Sequence, residues 1–350
     1  MKNYLAYFTA LAIGLLAFAS FITLIETNVW WVRMADFPRL HYLVLLLALL
    51  GLLLWFGRQT LPLLFFFGAL GTGAALYNGY KLYPYLPGTE SAAARCEADK
   101  QISVLVANVR LQNRSADPLL DIIRSHDPDL VLALETNEWW DQALAPLEDR
   151  MPHTVKQITG GYFGMHLFSR LPLTNAEVLK PVDQDTPAIV ADIELPSGAL
   201  LHFMGLHPRP PHPGQRSVGR DAQLMWAALT SRDSERPVIL AGDLNAVPWE
   251  KTNERLQRVG GFIDPRQIYG YKTSYDAKSW WMYWPLDQVL HQDQLTAISF
   301  EVLPGFGSDH YPILVDLCAR PSPTAPPALE GDDLEQARHD IALARRRASE

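Results

Sequence analysis

Three apolar runs near the N-terminus, 4–25, 40–56 and 61–77, constrain this chain more than any other feature. A helix needs about 20 apolar residues to cross roughly 30 Å of hydrocarbon, and somewhat shorter spans are met by local bilayer thinning. The first run reaches that length; the other two are shorter but contain no Asp, Glu, Lys or Arg. In the first 80 residues only Lys2, Glu26, Arg33, Asp36, Arg39 and Arg58 are charged. Trp30, Trp31, Trp55, Tyr80, Tyr83 and Tyr85 stand near the run ends, where interfacial aromatics belong. A cleaved signal peptide is the competing reading of the first run. That run is longer than a usual signal core, lacks a small-residue cleavage site before Glu26, and is followed by two more runs. The expectation is a multi-pass anchor of three helices over 1–83, with the lipid bilayer as its partner. Gly68, Gly71 and Gly73 are read as small residues that let those helices pack closely. No acidic pair marks a transport route through them.

Beyond a Pro/Gly- and Ala-rich linker, 84–99, the pattern changes to short apolar segments separated by polar turns. Segments 102–109, 130–134, 199–206, 237–241 and 311–317 read as strands, and 117–125 and 216–231 as helices. This predicts an α/β domain over 100–320. The remainder, 321–350, is a Pro/Ala-rich and charged tail, expected to form at most a solvated helix. Cys96 precedes the first strand and Cys318 follows the last, so the two sulfurs pair if those strands are neighbours and stay free thiols otherwise. A pair points to an oxidising compartment. The positive-inside rule leans weakly the other way, with Lys2 and Arg58 on one side against Arg33, Arg39 and Lys81 on the other. Lys2 followed by a long apolar run resembles an uncleaved signal anchor, which places the C-terminal domain outside, periplasmic or extracellular.

Polar residues repeatedly cap the apolar strands. Asn108, Glu135 and His207 each follow one, and Asp243 and Asn245 follow 238–241 at a spacing that puts both on one face. Asp287 opens 288–290, and Asp309 and His310 precede 311–317. Strand ends on a rigid sheet are good places to hold catalytic groups. Zinc on His202, His207 and His212 is disfavoured, because an interval of five turns the first two to opposite faces of a strand.

The order of these pieces resembles the endonuclease/exonuclease/phosphatase superfamily, the deoxyribonuclease I-like group. The matching stretches are Val-Ala-Asn-Val at 106–109, Leu-Ala-Leu-Glu at 132–135, Ser-Arg-Leu-Pro at 169–172, Gly-Leu-His-Pro at 205–208, Gly-Asp-Leu-Asn at 242–245, Leu-Asp-Gln at 286–288 and Gly-Ser-Asp-His-Tyr-Pro at 307–312. Two positions depart from the pattern: Thr136 after the Glu, and Gln288 where His or Tyr is frequent. The resemblance implies a four-layer α/β sandwich with these residues gathered at one end. It further implies hydrolysis of a phosphate ester supported by Mg²⁺ or Mn²⁺, with Glu135, Asn108 and Asp309 as metal ligands. Asp243, Asn245, His310, His207 and Asp287 are the catalytic residues it implies. Hard oxygen ligands suit those ions.

The substrate stays open among nucleic acid, a phospholipid headgroup and a small phosphate ester, and no obligate protein partner is evident. Residues 101–320 carry 27 acidic and 19 basic side chains, a sum of −8, which opposes avid duplex binding by charge; a basic strip with Arg209, Arg216 and Arg220 is the local exception. The run Trp-Trp-Met-Tyr-Trp-Pro at 280–285 is suited to stack on a base, rest on lipid or pack on the sandwich rim. The alternative from another class is a catalytically inactive, membrane-attached binding module of the same fold.

Overall fold

The computed structural model describes residues 2–56, 61–86 and 96–348. Arg58, the Lys2 side chain and most of the 84–99 linker, which enter the readings above, lie outside the described residues. The chain divides into two compact units, Met1–Leu86 with Pro211–Ser217, and Pro87–Pro210 with Val218–Glu350.

In the first unit the apolar runs form α1 (Lys2–Phe21), α3 (Arg39–Phe56) and α4 (Leu61–Leu82), with the short α2 (Trp30–Met34) after α1. Three segments are long and apolar enough to cross a membrane: Tyr4–Leu24, Arg39–Phe56 and Leu61–Tyr85. The third outruns the expected 61–77 because α4 continues to Leu82, where the buried Asn78 side chain donates to the Ser20 hydroxyl at 2.8 Å and the Ala74 carbonyl at 2.9 Å. Ile13, Ala17, Leu46, Leu53 and Ala74 bury one face of each helix, while Phe8, Leu47, Leu54 and Phe65 stay exposed. Of the three glycines, Gly71 alone is tightly enclosed: a Cβ there would lie 2.8 Å from Ile13 and 3.0 Å from Leu50, whereas nothing lies within 4 Å at Gly68. The buried Arg39 donates to Asp36 at 2.9 Å, Asn78 at 3.0 Å and Thr23 at 2.6 Å. Pairing and full hydrogen bonding are what make a buried guanidinium tolerable.

The second unit begins with β1 (Gln101–Asn108), α5 (Ala116–His126), β2 (Leu130–Leu134), α6 (Glu138–Leu144), β3 (His153–Gln157) and β4 (Met165–Ser169). Next come β5 (Leu173–Leu179), β6 (Ala188–Glu194), β7 (Leu200–Leu206), α7 (Val218–Arg232), β8 (Val238–Asp243), α8 (Lys251–Gly260), β9 (Phe262–Ile263), α9 (Arg266–Tyr269) and β10 (Asp287–Gln292). The chain then adds β11 (Thr296–Val302) and β12 (Ile313–Cys318) to the first sheet and closes with α10 (Asp333–Ala348). One sheet has the order β11-β12-β1-β2-β4-β3, the other β5-β6-β7-β8-β10-β9. Among the described residues only β1–β2 and β7–β8 run parallel, and the other strand pairs are antiparallel. Val104, Leu132 and Ile313 from one sheet meet Ile189, Phe203 and Ile239 from the other in a common core. Helices α5 and α6 cover one outer face, and α7 and α8 the other, completing the four layers.

Two departures from the sequence reading have plain causes. The tail helix α10 is solvated on one side only: Ala337 and Ala344 are buried, and the Asp333 carboxylate accepts from Arg258 at 2.7 Å and Arg255 at 3.3 Å. Small side chains let it pack closely without a wide apolar stripe. Strands β3 to β6 fall in a stretch where the sequence reading placed no strand, because polar residues interrupt them and their burial does not alternate: β4 is buried throughout, and the middle of β5 is exposed. Cys96 and Cys318 form a disulfide, with Cα atoms 5.9 Å apart, next to the β1–β12 pairing.

Candidate active site

Strand direction explains why residues two hundred positions apart meet. The parallel strands β1, β2, β7 and β8 all end at the same side of the sandwich, delivering Asn108, Glu135, His207 and Asp243. Because β10 and β12 run antiparallel to β8 and β1, their beginnings lie at that side too; Asp287 is opposite Asp243, and Ile313 opposite Val106. The loop before β12 is tied down by the Ser308 hydroxyl, which donates to the Asn108 carbonyl at 2.7 Å.

Asp243 is the hub. Its Oδ2 accepts from Asn108 Nδ2 at 3.1 Å and lies 3.6 Å from His310 Nε2 and 3.8 Å from His207 Nε2. The same Asn108 nitrogen donates to Glu135 Oε1 at 3.1 Å, and Glu135 Oε2 accepts from the Leu111 N–H at 3.0 Å. Asp287 Oδ2 binds His310 Nδ1 at 2.7 Å. Asn245 donates its N–H to Asp243 Oδ1 at 3.0 Å and its side-chain nitrogen to the Pro208 carbonyl at 3.0 Å. Seven of the eight expected residues thus belong to one linked cluster. Asp309 stands at its edge, its carboxylate 3.5 Å from the Arg110 guanidinium and partly exposed.

The backbone is held in uncommon conformations around this cluster. Glu135 (φ 60°), Asn245 (φ 50°) and Arg110 (φ 59°) are all left-handed without being glycine. Such conformations cost about 1–3 kcal/mol each and persist where the surroundings over-determine them. Gly242 has φ 145°, and a Cβ there would sit 1.9 Å from the Leu206 carbonyl oxygen. The Gly before Asp243 is therefore required for β8 to approach β7.

Electrostatics follow from burial. Desolvation raises the Asp243 pKa, opposed by His310 and His207 and reinforced by Asp287. Burial alone would lower His310, but the carboxylates of Asp287 and Asp243 outweigh it and push the imidazole up to about 10. Ligand atoms of Asp243, Asp287 and His310 lie within 4.8 Å of one another. Asp287 Oδ1 and His207 Nδ1 are buried and meet no hydrogen-bond partner among the described residues. Buried carboxylate oxygens with unused lone pairs fit a hard divalent cation.

Groups that the sequence reading missed support this site. Thr136, directly after Glu135, has its hydroxyl 2.7 Å from His166 Nδ1, and His166 Nε2 lies 3.0 Å from Asp141, which also pairs with Lys156 at 2.8 Å. Burial lowers the His166 pKa, so Nδ1 accepts from Thr136 while the Nε2 proton faces Asp141. A histidine inside a wholly buried apolar strand, β4, was the available signal. Gln288 faces away from the cluster, donating to the Ala246 carbonyl at 2.7 Å and accepting from Asn253 at 3.1 Å, so its departure from the family pattern is a packing matter. Two residues of the expected basic strip are engaged by the protein itself. Arg220 is buried against Glu250 and Asp221 and donates to the Asn245 carbonyl at 2.8 Å. Arg209 pairs with Asp185 at 2.7 Å and lies over the Phe163 ring. His202 pairs with Asp192 at 2.8 Å, not with His207.

A four-layer sandwich of two mixed sheets, with carboxylates, amides and imidazoles converging at one end, is the deoxyribonuclease I-like architecture. The chain belongs to the endonuclease/exonuclease/phosphatase family, whose sequence pattern matches residues 105–310. Among solved structures it is similar to humanized TDP2 of D. rerio, with 18% identity, a TM-score of 0.54, and coverage of 62% of this chain and 99% of that one. It is also similar to the catalytic domain of human Nocturnin with bound sulfate, at 17% identity and a TM-score of 0.51, covering 64% of this chain and 96% of the other. A mannosyl-6-phosphatase of Bacteroides thetaiotaomicron matches at 16% identity and a TM-score of 0.50, with coverage of 62% and 99%. At these identities the likeness is one of fold. No curated protein matches the sequence.

Proposed function

We propose that this chain is a membrane-tethered, divalent-metal-dependent phosphoesterase. The observation that carries the reading is the single cluster linking Glu135, Asn108, Asp243, Asp287 and His310. Glu135 and Asn108, with Asp309 at the edge, are the residues that would hold Mg²⁺ or Mn²⁺, which would supply neutralisation of charge on the phosphoryl oxygens. Asp243 orients a water for attack on phosphorus and takes its proton. Asn245 and His207 contact phosphoryl oxygens, and His310, steered by Asp287, donates to a phosphoryl or leaving oxygen. Water adds to phosphorus, the ester P–O bond breaks, and the alcohol leaves with a proton, giving an alcohol and a phosphate. The test is hydrolysis of mono- and diester probes by the full chain with Mg²⁺ or Mn²⁺. Activity abolished by EDTA, and lowered roughly a thousandfold in Asp243→Ala and His310→Ala, supports the reading; undiminished activity in either variant refutes the assignment.

The Cys96–Cys318 disulfide supports placing the catalytic unit on the outer, oxidising side of the membrane. Protease added to intact cells, or to spheroplasts where an outer membrane encloses them, then removes the catalytic unit; protection of that unit in both until lysis contradicts the placement.

A further inference from the structure

Two loops from different sheets border the active site, and each brings an aromatic ring to one of its histidines. The β3–β4 loop sets Phe163 5.8 Å from His207, and the α9–β10 loop sets Tyr275 4.9 Å from His310. Both loops also turn large apolar side chains outward: Tyr162 is 51% exposed, and in the second loop Trp280, Trp281 and Tyr283 are 84%, 44% and 47% exposed. Exposed aromatics concentrated around one opening mark an interaction surface rather than a folding requirement.

The charges nearby argue about what that surface meets. A polyanion would need unpaired cations along its path. Two arginines near the opening are already engaged, Arg110 with Asp309 and Arg209 with Asp185, and residues 101–320 sum to −8, which leaves little positive charge for a polyanion. Tryptophan and tyrosine beside an exposed lysine, Lys278, are instead the composition of a membrane interface. The same chain carries three helices apolar enough to cross a bilayer.

We infer that the aromatic rim of these two loops seats on a lipid surface, and that the site takes a phosphate ester carried by a lipid. The substrate half rests on the phosphoesterase reading; the seating half does not. The full chain is reconstituted in nanodiscs containing phosphatidylcholine with either dioleoyl phosphatidic acid or dioleoyl phosphatidylglycerol. Hydrolysis is compared with that of glycerol 3-phosphate, glycerophosphoglycerol and a single-stranded oligonucleotide. In parallel, a nitroxide on Trp280→Cys reports contact with lipid through its accessibility to oxygen against a water-soluble nickel chelate; both native cysteines are in the disulfide and do not compete for label.

The expected result is a lipid-contacting nitroxide, together with a Trp280→Ala/Trp281→Ala double variant that loses roughly tenfold in lipid-ester turnover while the soluble esters change by less than about twofold. The Trp280→Phe/Trp281→Phe variant keeps the lipid activity. A water-exposed nitroxide overturns the seating. Equal losses on lipid and soluble esters, no loss on either, or a loss confined to the oligonucleotide overturns the substrate assignment. A lipid-contacting nitroxide in a chain that hydrolyses none of the probes refutes the phosphoesterase reading and leaves the seating standing.

Discussion

Glu135 is held by the residues around it: Asn108 and the Leu111 N–H bind its carboxylate, its own backbone is left-handed, and the next residue is pinned by His166. Partners that orient a metal ligand through one intervening group commonly contribute 10–100-fold to affinity or activity. Replacing His166 with Ala should therefore weaken Mn²⁺ binding by roughly that factor, as read by Mn²⁺ titration, and His166→Gln should restore part of it. Unchanged affinity in His166→Ala would limit the residue to packing. The eight polar residues at the site were legible in the sequence because each interrupts an apolar strand at its end. His166 was not: it sits within a five-residue strand, Met-His-Leu-Phe-Ser, that is buried throughout and gives no alternation to read, and its partner Asp141 lies on a separate helix.

At the scale of elements, β10 ties the site to the core. It opens with Asp287, and His291 further along is buried, its Nδ1 2.9 Å from the Gln292 carbonyl. Burial lowers the His291 pKa from 6.5 to about 4. A folded-state pKa below the unfolded one means the neutral form stabilises the fold above pH 6.5, and that contribution fades as pH falls towards 4. Its full size is about 3 kcal/mol. Thermal or urea unfolding of His291→Gln should show a shallower loss of stability than wild type between pH 6.5 and 4; parallel curves would show that His291 does not carry this dependence. Elements were legible where an unbroken apolar run is bounded by polar residues, as in β1, β2 and β8, or where a helical period is clear, as in α5 and α7. They were obscured in β3 to β6, where polar residues such as Lys156, His166, Asn175 and Asp192 interrupt the strands.

For the whole molecule, the sequence showed an apolar half and an α/β half, but pairing order came only with the coordinates. Nothing local in 311–317 says that it lies beside 102–109; the sequence left that adjacency open, and the antiparallel β1–β12 register supplies it. That neighbourhood brings Cys96 and Cys318 together across 222 residues of chain. Closing so long a loop stabilises by roughly 2–5 kcal/mol. Full-length protein isolated without reductant should resist a maleimide–polyethylene glycol reagent when denatured, react at two sites after reduction, and unfold at lower temperature as Cys96→Ser/Cys318→Ser. Reaction before reduction would show free thiols and remove the support for an outer-face domain.

The most direct test of the account is the position of the cation. Anomalous diffraction from crystals of the full chain grown with Mn²⁺ should show one strong peak bound directly by the Glu135 carboxylate, within the ring of Asn108, Asp243 and His310, and none in crystals of Glu135→Gln at the same Mn²⁺ concentration. A peak held by other residues, or no peak in a preparation that still hydrolyses phosphate esters, would contradict it.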